Sequence, residues 1–280
     1  VCSFKPGTKK VIKRNKVIYD RMADHIGLFP VVFISPYDGD LIAEGSEFRR
    51  KWLDGILSQI DRKYLEDLIQ FQRILEHRNA LLKQVAQGAA QREDLQIWNP
   101  SFSELGARIH ARRANFIAEF SPIFLQNYQE IGRDEEQPTI RYRSDFQKGE
   151  FDTLLSQNEQ RDLYAQHSTV GVQKDELIFS LNENPVKKFG SQGQQKSFIL
   201  ALRLAQYHYL HKYSGKKPVL LLDDIFDKLD RSRVQSIMDL VSKDAFGQVI
   251  ITDTDRERVE TLLAPCVDDF RIFELPLQES

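Results

Sequence analysis

Short alternating runs of apolar and polar residues fill the first 45 positions, a pattern that is typical of β-strands. Pro6 and Gly7 favour a turn between the first two runs. The basic residues between positions 9 and 16 lie on the predicted hairpin, where we interpret them as a solvated edge and keep a DNA contact as the alternative. We expect strands at residues 1–4, 11–12, 17–19 and 31–34.

From Ser46 to about Arg133 the apolar residues recur at three- and four-residue steps, which predicts long amphipathic helices. Residues 88–91 predict a break. A capping box at residues 101–104 predicts the start of the next helix. Four basic residues lie along that helix: Arg108, His110, Arg112 and Arg113. They form either a solvated face, which we favour, or a strip that contacts phosphate.

Two wholly apolar runs, at residues 219–222 and 249–251, predict strands of a parallel sheet that are buried on both faces. Asp223 and Thr252 are 29 positions apart, about one strand–helix–strand crossover, so the polar ends of the two strands should lie side by side. Ligands bind at this edge of such sheets. One aspartate there can hold Mg²⁺ through a water, and its neighbour Asp224 can orient the attacking water of a phosphoryl transfer.

A predicted helix start precedes the first of these strands. Ser191 can serve as the N-cap, and Gln194 can complete a capping box ahead of an apolar run. The free N–H groups and positive dipole of a helix N-terminus suit a phosphate, although most helix starts bind no ligand. The helix start therefore gains weight only together with the acidic strand end.

Composition narrows the classes of protein. The chain has 280 residues, 41% of them hydrophobic, which is enough to bury a core. Its 39 basic and 41 acidic residues nearly balance, so any DNA-binding surface must be local. Cys2 and Cys266 are too few for a disulfide framework and fit a reducing cytosol. No apolar run in the sequence approaches the ~20 residues of a membrane span.

Several segments resemble motifs of the RecF family of bacterial ABC-type ATPases, and they occur in the same order as in that family. Residues 191–196 (Ser-Gln-Gly-Gln-Gln-Lys) are similar to its signature motif, and residues 219–224 to its Walker B strand. Residues 228–230 resemble its D-loop, and residues 250–255 its switch segment. Further matches lie at residues 30–36, 49–54 and 72–82, so the resemblance covers nearly the whole chain.

The resemblance implies an α/β fold, an ABC-type ATPase head with a P-loop NTPase-like layered sheet, flanking helices and an inserted α-helical lobe. Residues 1–45 and 136–280 would form lobe I, and residues 46–135 the helical lobe II. In the family, the ATP-bound dimer clamps DNA at gaps and at junctions of single and double strands, and promotes RecA loading with RecO and RecR. We therefore expect an ATPase of DNA repair, replication and recombination that hydrolyses ATP slowly. It would be cytoplasmic and nucleoid-associated, and a membrane would not be among its partners.

The resemblance also assigns roles to residues. ATP and Mg²⁺ would bind at Asp223, which holds the ion through water, and at Asp224, while a second protomer closes the site in a homodimer. Asp230 would contact the opposite site, and Thr252 or Asp253 would sense the γ-phosphate. The signature residues expected at the nucleotide are Ser191, Gln192, Gly193, Gln194 and Lys196. Apart from the resemblance, the basic residues that are candidates for contact with DNA are Arg112, Arg113, Lys187 and Lys188.

Two features depart from the family pattern. Residues 171–176 replace the Pro, His and Arg of the usual Gly-Pro-His-Arg-Asp-Asp, while Lys174 and Asp175 keep the charges. The Gly-Lys-Ser/Thr core of a P-loop occurs nowhere in the sequence. The simplest interpretation is a fragment that lacks the first quarter of the protein, so that the chain alone would bind ATP weakly or not at all.

Two other classes of protein remain open. A non-catalytic module that binds DNA or a protein partner would explain the missing P-loop without truncation. A Mg²⁺-dependent nuclease would gather Asp223, Asp224, Asp253 and Asp255 around two ions, but it would leave the signature helix without a purpose.

Overall fold

A computed structural model describes residues 2–3, 7, 11–131, 136–224, 234–235, 238–239, 246–264 and 270–274. Its strands are β1 Cys2–Ser3, β2 Val11–Arg14, β3 Val17–Ile18, β4 Val31–Ile34, β5 Pro138–Arg143, β6 Glu176–Leu181, β7 Asn184–Pro185, β8 Val219–Asp223 and β9 Val249–Thr252. Its α-helices are α1 Asp40–Ala43, α2 Ser46–Ile60, α3 Arg62–Ala86, α4 Asn99–Ile131, α5 Phe151–Ala165, α6 Val186–Phe189, α7 Gln192–Ser214 and α8 Arg256–Leu263.

The described strands form three sheets. Two are antiparallel, in the orders β1-β2-β3 and β5-β6-β7. The third is parallel, in the order β4-β8-β9, and its register sets Ile34 opposite Leu222 and Asp223 opposite Thr252. This register confirms the prediction that the polar ends of the two later strands lie side by side.

The parallel sheet buries one face in β4 and β8, and its other face is covered only in part. Successive side chains of a strand point to opposite faces. On one face Val32 and Leu220 are fully buried, whereas on the other Phe33 and Ile250 are each 46% exposed. The prediction that the strands are buried on both faces is therefore wrong, because an unbroken apolar run does not show how many layers cover it.

Long helices fill the region from Ser46 onward, as predicted, and a turn interrupts them near Gly88. The predicted helix start at residues 101–104 is wrong. Helix α4 already begins at Asn99, and the N–H of Phe102 donates to the carbonyl of Trp98 at 2.9 Å. Ser101 therefore lies inside the first turn instead of capping it.

Aromatic packing fixes the position of α7 against the long helices. The rings of Phe116 on α4 and Tyr209 on α7 meet edge to face at 4.9 Å, and Trp52 on α2 packs on Phe120 at 5.5 Å. Helix α7 also packs on strand β4. One hydrophobic cluster thus joins residues from both predicted lobes, and the division into lobes stays a prediction. Across the described ranges, no helix combines the length and low polarity that a membrane crossing requires.

Candidate functional site

The carboxyl edge of the parallel sheet brings together the residues predicted to act on a nucleotide. The hydroxyl of Thr252 donates to Oδ1 of Asp223 at 2.5 Å. The N–H of Asp224 donates to the carbonyl of Thr252 at 3.1 Å. The two strand ends are therefore linked through a side chain and through the backbone, and Thr252 holds the Asp223 carboxylate in one orientation.

Asp224 has an uncommon backbone conformation and a buried oxygen without a partner. Its φ of 48° lies in the left-handed region, which few residues other than glycine adopt. Its Oδ1 atom is buried and has no hydrogen-bond partner among the described residues. A buried polar atom left unpaired costs about 1–3 kcal/mol, and strained residues are concentrated at functional sites. The oxygen is thus available to a hydrogen-bond donor or a cation.

This edge fits Mg²⁺ bound together with a nucleotide. Mg²⁺ is usually held by one or two carboxylates with waters and substrate phosphates, not by a cage of protein ligands. Asp223 and Asp224 supply such carboxylates. Within the ranges that the structure describes, no group of three or more His, Cys, Asp or Glu side chains could hold a metal ion, so the described aspartates do not form the cluster that the nuclease alternative requires.

Asp253 is hydrogen-bonded to residues at the start of α8. Its Oδ1 atom accepts from the N–H of Asp255 at 2.7 Å and from Nη2 of Arg258 at 2.6 Å. Asp255 in turn is the N-cap of α8, and its carboxylate accepts from the N–H of Arg258 at 3.1 Å. Asp253 therefore follows Thr252 at the sheet edge with an orientation fixed by the helix.

The predicted capping box at the start of α7 is confirmed. The N–H of Gln194 donates to Oγ of Ser191 at 3.2 Å, and the N–H of Ser191 donates to Oε1 of Gln194 at 2.8 Å. The Gln194 amide also donates from Nε2 to Glu136 at 2.9 Å. The exposed residues here are Ser191, Gln192 and Lys196. The helix start is open to a partner, whereas Gln194 must leave Glu136 before it can contact a nucleotide. The predicted D-loop residue Asp230 lies outside the described residues.

Three of the four residues predicted to contact DNA are on the surface. Lys187 and Lys188 are exposed on α6, just before the start of α7, and Nζ of Lys188 lies 5.2 Å from the ring of Phe189. Arg112 is 55% exposed and forms a 3.1 Å ion pair with Asp61. These side chains are accessible to a phosphate backbone, and their role stays a prediction.

Arg113 is not on the surface, so its predicted role at DNA is wrong. Its side chain is 3% exposed and lies between α2, α3, α4 and the turn before β6. The guanidinium donates to Asp54 at 2.9 Å, to Asp175 at 2.7 Å and to the carbonyl of Val172 at 2.7 Å. Tyr142 also donates to Asp175, at 2.5 Å. Burial raises the pKa of the Asp175 carboxyl, and the Arg113 guanidinium partly offsets the rise. Gly171, Val172 and Asp175 of this segment are therefore buried against the long helices, while Lys174 is exposed.

An ion pair that the sequence analysis missed lies near the sheet edge. Nε and Nη2 of Arg203 on α7 donate to the two carboxylate oxygens of Asp38, at 3.1 Å and 2.6 Å. Asp38 lies in the short helical turn that follows β4. The signal was an isolated arginine within the apolar run that begins at Phe198, because a charge in that setting indicates a buried partner.

Solved structures and sequences agree on the class of protein. The chain superposes with a TM-score of 0.82 and 30% identity on the recombination mediator protein RecF-ATP of the RecFOR pathway, covering 91% of this chain and 70% of that one. The RecF-ATPrS structure matches with a TM-score of 0.80 and 29% identity, over 91% and 71%. No protein-family model matches the chain. The fold and the sheet-edge site define the head of an ABC-type ATPase.

Curated relatives identify the family. The chain is 47% identical over 276 residues to the DNA replication and repair protein RecF of Flavobacterium johnsoniae, covering 98% of this chain and 77% of that protein. It is 42% identical over 274 residues to RecF of Bacteroides fragilis, covering 98% and 74%. The chain belongs to the RecF family of DNA replication and repair proteins.

Proposed function

We propose that the full-length protein is an ATP-dependent DNA clamp. Two copies join head to tail around ATP and Mg²⁺ as a twofold dimer. The dimer binds DNA at gaps and at junctions between single and double strands, in the cytoplasm. With RecO and RecR it promotes RecA loading. Membership of the RecF family supports this function, and the RecFOR pathway is the one named for the solved RecF proteins.

The observation that carries the proposal is the linked edge formed by Asp223, Asp224 and Thr252. Asp223 holds Mg²⁺ through water, in the orientation set by the Thr252 hydroxyl. Asp224 positions the attacking water, which finds an acceptor in the buried Oδ1 atom, for which the described residues offer no hydrogen-bond partner. Mg²⁺ held at Asp223 would neutralise the charge that develops on the phosphates during phosphoryl transfer. Thr252 or Asp253 senses the γ-phosphate.

The start of α7 completes the site of the partner protomer. Its first N–H groups and positive dipole end suit the γ-phosphate. Ser191, Gly193 and Gln194 make this contact in trans, flanked by the exposed Gln192 and Lys196. Asp230 contacts the opposite site. ATP is therefore part of the dimer interface, so its binding and dimerisation are linked.

Exposed basic side chains supply the contact with DNA. Lys187 and Lys188 precede the signature helix start, and Arg112 lies on α4. Lysine and arginine neutralise phosphates by releasing counterions, whatever the base sequence. This proposal fits a clamp that recognises the form of its DNA rather than a particular sequence.

The test is the molar mass in solution of the full-length protein, with and without Mg-ATP. Ser191→Arg places a long cationic side chain at the helix start and is expected to keep the protein monomeric. Ser156→Arg, at an exposed position of α5, is the matched control. We expect ATP to double the mass of the unaltered protein and of the control only. An unchanged mass in a protein that contains a P-loop would refute the clamp and favour the non-catalytic module.

A further inference from the structure

A chain of buried and partly buried hydrogen bonds joins the sheet edge to α7 and to the long helices. It begins at Ser35, which follows β4 and whose N–H donates to Oδ2 of Asp38 at 3.2 Å. Arg203 forks onto Asp38 and also donates from Nη1 to Oε1 of Gln206 at 2.9 Å. Nε1 of Trp52 on α2 donates to the same Gln206 oxygen at 3.0 Å.

The first member of this chain stands next to the nucleotide edge. Ile34 is paired with Leu222 in the parallel register, and Ser35 continues β4 in an extended conformation. The next position along β8 is Asp223, which is paired with Thr252 of β9. Ser35 therefore belongs to the row of residues at the carboxyl edge of the sheet. Asp38 lies in the loop that follows Ser35, so a shift of this loop would move its carboxylate.

The other member of the ion pair, Arg203, belongs to the long helix α7. Arg203 lies 12 positions after Ser191 on the same uninterrupted helix, which is about 18 Å at the ~1.5 Å rise of an α-helix. A forked contact between a guanidinium and a carboxylate fixes orientation as well as distance. A displacement of Asp38 is therefore transmitted to the exposed end of α7.

We propose that Asp38 and Arg203 are positioning residues that couple the ATP site of a protomer to the orientation of its own signature helix. The two side chains would act through the loop after β4 and through α7. The pair sets the start of α7 so that it fits the second protomer when the loop after β4 is in its ATP-bound position. This coupling rests on the proposed clamp and adds the internal connection on which dimerisation depends.

The test compares two substitutions that each remove one buried charge. Asp38→Asn breaks the fork at the sheet edge. Asp162→Asn is the matched control, because Asp162 is buried and accepts from Arg78 at 2.8 Å between α3 and α5. The full-length variants are compared for Mg-ATP affinity of the monomer, for the ATP-dependent dimer dissociation constant, and for amide hydrogen exchange of residues 192–203 without ATP.

We expect Asp38→Asn to leave ATP affinity within ~3-fold of the unaltered protein and to weaken dimerisation by ~10-fold or more, within the range usual for coupling between two sites. Exchange at residues 192–203 should be faster in this variant. Asp162→Asn should lower the thermal midpoint while its folded fraction dimerises normally. Arg203→Lys, which keeps the charge but loses the fork, should fall between Asp38→Asn and the unaltered protein.

The outcomes separate the coupling from the clamp. Equal dimerisation and equal exchange in Asp38→Asn and the unaltered protein would overturn the coupling. The same holds if Asp162→Asn weakens dimerisation as much as Asp38→Asn, because the effect would then follow from stability alone. If the unaltered protein fails to dimerise with ATP while Asp38→Asn still speeds exchange at residues 192–203, the clamp fails and the positioning of α7 by this ion pair stands.

Discussion

Replacing Arg113 with methionine tests how much its buried contacts, between the long helices and the turn before β6, contribute to the free energy of unfolding. Methionine keeps an unbranched apolar side chain but removes every hydrogen bond of the guanidinium. Asp54 and Asp175 lose the cation that lies between them, and the carbonyl of Val172 loses a donor at 2.7 Å. The hydroxyl of Tyr64 also loses its 3.1 Å donor.

The magnitude follows from the burial of the arginine. Removing one partner of a buried ion pair usually costs about 3–5 kcal/mol, because the remaining charge stays buried. At ~2–4 °C per kcal/mol for a large domain, the thermal midpoint should fall by ~6–20 °C. Arg112→Met is the control on the same helix. Its ion pair with Asp61 is exposed, so it should cost at most ~1 kcal/mol.

The dependence on pH identifies the cause. Arg113 lowers the pKa of Asp175, which burial raises, so the substitution should raise this pKa further. A carboxyl whose pKa rises on folding takes up a proton in the folded state, and stability is lost as pH rises through the folded pKa. The destabilisation by Arg113→Met should therefore be larger at neutral pH than at acidic pH, where the buried carboxyl is protonated. Calorimetry at neutral and at acidic pH measures this, and a loss below ~1 kcal/mol, or one that does not depend on pH, would refute the reasoning.

Two further sets of substitutions test the backbone and the DNA interface. Gly27→Ala should lower the free energy of unfolding by more than the ~1 kcal/mol expected of Gly88→Ala. Both glycines have a positive φ, +81° and +74°, but an added Cβ at Gly27 would lie 2.2 Å from the carbonyl oxygen of Gln59, whereas Gly88 faces open space. Equal thermal midpoints of the two variants would contradict this. Changing both Lys187 and Lys188 to alanine should weaken DNA binding while the ATP-dependent mass stays the same. The slope of log K against log salt concentration should fall by ~0.9 for each phosphate that a lysine no longer neutralises. An unaltered slope would exclude both lysines from the DNA interface.

Local patterns in the sequence predicted local structure well. The capping box of Ser191 and Gln194 depends on two residues three positions apart, and the structure confirms it. The pairing of Asp223 with Thr252 follows from the length of one crossover between parallel strands. By contrast, the start of α4 depends on the carbonyl of Trp98, which the pattern of serines at residues 101–104 does not show.

Contacts between distant segments could not be predicted in the same way. Arg112 and Arg113 are neighbours in sequence, but successive residues of an α-helix are about 100° apart around its axis, so one faces solvent and the other the core. The partners that bury Arg113 lie 59 and 62 positions away, at Asp54 and Asp175. The Asp38–Arg203 pair spans 165 positions, which no local pattern detects.

The half-covered face of the parallel sheet has a consequence for experiments on this protein. Val31, Phe33 and Ile250 present apolar side chains to solvent on that face. Apolar patches on a sheet favour self-association that grows with protein concentration and needs no nucleotide. A dilution series of the 280-residue chain without ATP measures this association. Substituting Phe33 with a charged residue should weaken it.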